Sequence, residues 1–104
     1  MNQQAMIRKM RQMQKELEQT QEEIANTDFV QTAGGVVSVT LKGTKELVKV
    51  EILDGFEIES KEDLEMLQDM IIAACNNAYK EIDKTTEQKM SKYQSLLGGM
   101  GSFF

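Results

Sequence analysis

Histidine, proline and tryptophan are all missing from these 104 residues, and cysteine occurs once, at Cys75. Without histidine the usual general base near neutral pH is absent, together with His-dependent nucleophile triads and the commonest metal ligand. A lone cysteine closes no internal disulfide and has no second thiol or imidazole with which to share a metal. Inside an apolar helical pattern, Cys75 reads as a small buried hydrophobe. No apolar run approaches the roughly 18 residues that a membrane-crossing helix needs. The polar start, Met1 to Ala5, leads into Arg8, Lys9 and Arg11 rather than into the apolar stretch of a secretory leader, so a cytoplasmic location is expected.

Phosphate-cradling glycine patterns are missing too. Gly34-Gly35 stands in neither a G-x-x-x-x-G-K-[ST] nor a G-x-G-x-x-G context. The acid pairs Glu22-Glu23 and Glu62-Asp63 fall near expected helix ends, where carboxylates act as solvated charge and caps. No constellation for acid-base or covalent catalysis remains, and the chain is expected to be no enzyme, with no cofactor, metal or small-molecule substrate.

What is present fits a single small domain with 40% hydrophobic residues, eight of them methionine. A chain of this size buries a modest share of its surface, so a subunit interface would help it. The net charge of −5 is unevenly spread. Residues 1 to 15 carry Arg8, Lys9, Arg11 and Lys15 and no acid, whereas Glu16 to Val30 carry Glu16, Glu18, Glu22, Glu23 and Asp28 and no base. The segment from Glu46 to Asp69 is acidic again, with Lys49 and Lys61 as its bases. The pattern is a basic end on an acidic body.

Met6, Met10, Met13, Leu17, Thr20 and Ile24 succeed one another at spacings of 4, 3, 4, 3 and 4. That is the seam of a helix packing lengthwise on another. A helix over residues 2–26 would be about 37 Å long at ~1.5 Å per residue, too long for three strands to cover, so part of it should project. Asn26, Thr27 and Asp28 favour its end. Strands are expected within residues 29–52. Phe29 to Thr32 comes first, then a reversal at Gly34-Gly35, where positive φ is easy. Val37, Val39 and Leu41 then alternate on one face, and Lys42-Gly43-Thr44-Lys45 forms a hairpin turn. In the last strand Val48, Val50 and Ile52 take the apolar side and Leu47 the polar side.

After the turn at Asp54-Gly55, Ser60-x-x-Asp63 has the form of a capping box. The helix behind it, expected over residues 61–93, presents Leu64, Leu67, Ile71, Ala74, Cys75, Ala78 and Ile82 on one face, with small residues allowing close approach to a sheet. Residues 98–104, rich in glycine, are expected to be a flexible tail.

At 100° per residue, Arg8, Arg11 and Lys15 fall within a narrow arc opposite the methionine seam, while Lys9 flanks the seam. A rod packed by that seam would display the three in an outward row able to meet phosphates. Lys80 and Lys84 form a second pair one turn apart, beside Glu81 and Asp83.

The order of these elements and several strings resemble the YbaB/EbfC family of nucleoid-associated proteins. The opening helix with Met10-Arg11-Gln12-Met13-Gln14-Lys15, the turn and strand Ala33-Gly34-Gly35-Val36-Val37-Ser38-Val39-Thr40, and Gly43 with Leu47-Val48-Lys49-Val50-Glu51-Ile52 carry the likeness. Leu67 to Ala78 and Glu87-Gln88-Lys89-Met90 extend it over nearly the whole chain, as one domain of residues 1–97. Two glycines stand at the turn where the family often has three.

The resemblance implies an α+β fold: a long N-terminal helix, a three-stranded antiparallel sheet and a long C-terminal helix. It implies a homodimer joined through the sheets, with projecting N-terminal helices. It also implies binding to double-stranded DNA in the bacterial nucleoid, with little sequence preference and no cofactor. Contacts are expected from Arg8, Lys9, Arg11 and Lys15, and from Lys80, Lys84, Lys89 and Lys92. The alternative from the residues is a prefoldin-like helical subunit that holds partner proteins on its methionine seam.

Overall fold

Asn2 opens the first helix: its side-chain oxygen accepts a hydrogen bond from the backbone N–H of Ala5 at 2.8 Å, satisfying a donor that the first turn leaves free. In this computed structural model, which describes residues 2–101, α1 spans Gln3–Asn26. It ends where expected. Thr27 turns extended and its hydroxyl donates back to the carbonyl of Glu23.

Three antiparallel strands follow, β1 (Asp28–Ala33), β2 (Val37–Lys42) and β3 (Leu47–Ile52), in the order β1-β2-β3. Gly34 and Gly35 take φ of +58° and +65° in the first reversal, a conformation that costs an L-residue about 1–2 kcal/mol. The register sets Phe29 opposite Leu41 and Ala33 opposite Val37, so the buried residues of β1 and β2 share one face. Between β2 and β3 the register shifts at Thr40/Leu41, which brings Leu47 opposite Leu41. The loose alternation expected of β3, with Leu47 on the polar side, is corrected at that point: the irregularity puts Leu47 across from the core residue Leu41, and Val48 is the residue passed over in the pairing.

The second helix, α2 (Lys61–Gly101), covers that face. The backbone N–H of Asp63 donates to the Ser60 hydroxyl at 3.2 Å, and the Asp63 carboxylate accepts from the backbone N–H of Glu59 at 3.0 Å. The hydroxyl half of the expected capping box is therefore made, while the carboxylate reaches one residue further back, to Glu59 and not to Ser60. Leu67, Ala74, Ala78 and Ile82 are buried against Phe29, Val37, Val39 and Leu41. Ile71 and Cys75 pack at the margin, and Leu64 is exposed rather than in the core. The helix continues past Tyr93. Gly98 and Gly99 weaken a helix without breaking it as proline would, so residues 98–101 of the segment expected to be a tail continue α2, and residues 102–104 lie outside the described residues.

Candidate nucleic-acid interface

The reach of α1 beyond the sheet begins with how little of its seam is covered. Ile24 is 5% exposed, whereas Met6 and Met10 are 48% and 42% exposed. Between them, Thr20 and Tyr93 share a hydrogen bond at 3.2 Å between their hydroxyls, and Tyr93 is otherwise buried. Leu17 lines a groove with Thr86, Met90 and Tyr93 of α2. The two helices therefore run side by side away from the sheet and in opposite chain directions. The first four turns of α1 extend past the Thr20–Tyr93 contact in a molecule 72 Å long and 22 Å wide.

Arg8, Lys9, Arg11 and Lys15 lie on that projecting part, all exposed. None takes part in the ion pairs among the described residues, which join Lys42 to Asp28, Lys45 to Asp83 and Lys49 to Glu51. Their placement runs against helix stability. α1 has no acid in its first turn and no base in its last, the reverse of what the helix dipole favours. Arg11 and Lys15, and likewise Glu18 and Glu22, are like charges four residues apart, which also disfavours the helix. A face shaped for solubility alone would interleave the signs.

The eight basic residues expected at the interface do not form one surface. Arg8, Arg11 and Lys15 make a row on the side of α1 opposite its seam. Lys89 and Lys92 lie beside Thr20 and Glu23 in a shallow groove between the helices, with the Lys92 ammonium 4.8 Å from the centre of the Tyr93 ring. Lys80 and Lys84 are exposed nearer the sheet. Helical periodicity sets them well over 90° around α2 from Tyr93, turned away from α1.

Three features escaped the sequence reading. Tyr93 anchors the arm, although a tyrosine late in a polar helix carries no periodic signal. Glu18 and Glu22 continue the outward row of Arg8, Arg11 and Lys15, so that the change of sign legible along the chain falls on one exposed face. Finally, α2 packs on β1 and β2, leaving the whole of β3 exposed, with Val50 at 43% and Ile52 at 49%.

Comparison with known proteins bears on this arrangement. The model of the YbaB/EbfC DNA-binding family matches residues 1–98. A nucleoid-associated protein of Clostridium acetobutylicum is 40% identical over 96 residues, which cover 91% of this chain and 81% of that one. A nucleoid-associated protein of Streptococcus pneumoniae is 38% identical over 98 residues, covering 93% of this chain and 97% of that one. Among solved structures, an uncharacterized protein from Helicobacter pylori superimposes with a TM-score of 0.68 at 27% identity, covering 90% of this chain and 98% of that one. No described helix is long and apolar enough to cross a membrane.

Proposed function

We propose that this chain, which belongs to the YbaB/EbfC DNA-binding family, binds double-stranded DNA in the nucleoid as a homodimer, through backbone electrostatics and with little sequence preference. The observation that carries this reading is the exposed row Arg8, Arg11 and Lys15 on the part of α1 that reaches beyond the sheet. Bases on a regular helix flank can follow phosphates without reading base edges, and phosphate contacts carry no sequence information directly. Lys9 supplies positive charge on the adjoining flank, whereas Lys89 and Lys92 lie beside the acidic half of α1 and Lys80 and Lys84 nearer the sheet, as a weaker background to the row. The protein acts by binding and not by catalysis, in the cytoplasm.

Dimerisation through the sheets is supported by β3. It is an edge strand with an unpaired backbone, and Leu47, Val48, Val50 and Ile52 are all exposed. Such an edge invites another chain to pair with it. Ile72 and Tyr79 of α2 extend the apolar surface. They share a flank with Asp83, whose ion pair to Lys45 turns that flank toward the β2–β3 hairpin. A second copy placed across β3 would cover both, and two arms would double the basic charge offered to one duplex. The prefoldin-like alternative has no support from the family match, which is to DNA-binding proteins.

The test is a mobility-shift titration with unrelated duplexes at about 50 mM salt, where phosphate contacts are strongest. The parent protein is expected to shift them all with similar affinity, and Arg8→Glu/Arg11→Glu/Lys15→Glu to lose the shift while keeping its helical circular dichroism. A variant that binds as well as the parent would refute the assignment of the row.

A further inference from the structure

We infer that the outward charge of α1 is a positional stop, in which the change of sign between Lys15 and Glu18 holds a duplex on the distal half of the arm and off its sheet-proximal half. The inference rests on the DNA reading above and concerns where along α1 the duplex sits.

Two parallel rows carry it. On the side opposite the seam, Arg8, Arg11, Lys15, Glu18 and Glu22 follow at spacings of 3, 4, 3 and 4, and all are exposed. On the neighbouring flank, Lys9, Gln12, Glu16, Gln19 and Glu23 repeat the same spacing and are exposed as well. The outward row passes from base to acid between Lys15 and Glu18, and the flank row does so between Lys9 and Glu16, so that both are acidic from Glu18 onward. Lys15 and Glu18 are only about 4.5 Å apart along the axis, so the boundary is narrower than the ~8 Å screening length at physiological salt.

Duplex DNA presents one charge every ~1.7 Å of its axis. Sliding it one heptad, about 10.5 Å, toward the sheet would exchange the contacts at Arg8, Arg11 and Lys15 for Lys15, Glu18 and Glu22, one base and two acids in place of three bases. Position is therefore sharply graded along the arm. Just on the acidic side of the boundary, Leu17 lines the groove between the helices and Tyr93 meets Thr20, while α2 continues beside α1 past this point to Gly101. At that height Lys89 and Lys92 offset part of the charge of Glu23 on one flank, and Glu87 lies in the groove on the other. Glu18 and Glu22, facing outward, form the stronger barrier.

Gln12 and Gln19 report on the two halves, because they lie on one flank a heptad apart and both are exposed. In a Cys75→Ala background, Gln12→Cys and Gln19→Cys are each labelled with a benzophenone and irradiated with a mixed-sequence duplex. Crosslinking from Gln12→Cys is expected to exceed that from Gln19→Cys at least about tenfold, as local charge sets local phosphate occupancy. Adding Glu16→Gln, Glu18→Gln, Glu22→Gln and Glu23→Gln to Gln19→Cys should bring the two within about threefold. Equal crosslinking with the native charges, or no gain after neutralisation, overturns the stop and leaves DNA binding standing. If the parent protein shifts no duplex and neither label crosslinks, the DNA reading fails and the stop falls with it.

Discussion

Gly43 lies against Ile24 so closely that a β-carbon on Gly43 would stand 1.8 Å from the Ile24 carbonyl oxygen. The backbone N–H of Gly43 also donates to the carbonyl of Thr27 at 3.1 Å. The β2–β3 turn is thereby seated on the end of α1, at the root of the projecting arm. Gly43→Ala must drive the two backbones apart, and a loss of about 2–4 kcal/mol is expected, within the range of severe single substitutions. Gly35→Ala meets open space and pays only for positive φ, about 1–2 kcal/mol. Urea unfolding of both variants checks the order, and equal losses would show that the close approach is not what matters.

The hydroxyl contact between Thr20 and Tyr93 is the next place where the arm is held. Tyr93→Phe should lose about 0.5–1.5 kcal/mol, the net worth of a hydrogen bond. Tyr93→Ala should lose about 3–5 kcal/mol, because it empties a buried aromatic site. A double-mutant cycle with Thr20→Val isolates the pair, and full additivity would mean that the two hydroxyls do not interact.

An interface across β3 makes a separate prediction. Val50→Asp/Ile52→Asp places carboxylates in a strand that is already exposed within one chain, so folding should persist while association is lost. Light scattering should give about twice 11.8 kDa for the parent and 11.8 kDa for the variant. A variant that stays dimeric would move the interface elsewhere.

Much of this architecture can be read from local patterns, because α1, the glycine reversal and the capped start of α2 each depend on residues close in sequence. The 3.5-residue seam finds α1, and Gly34-Gly35 finds the turn. Ser60 and Asp63 mark the next helix start. The misses are tertiary. Leu64 belongs to the apolar stripe of α2 by spacing, yet it is exposed, because it stands in the first turn of α2, ahead of Leu67 where the buried core begins. The register shift beside Leu41 depends on how β2 and β3 fit together, and no turn residue announces it. The basic row was legible as helical geometry; its separation from Lys80 and Lys84 depended on which side of α2 meets α1. Tyr93 could be recognised as an anchor only once Thr20 stood opposite it.

Electrostatic binding by the arms has one direct signature, the dependence of affinity on salt. If a dimer engages about six phosphates, log K should fall linearly with log salt at a slope near −5. Unrelated duplexes should give the same slope, and Arg8→Gln/Arg11→Gln/Lys15→Gln should flatten it markedly. A slope near zero, or one unchanged when these three charges are removed, would contradict the account.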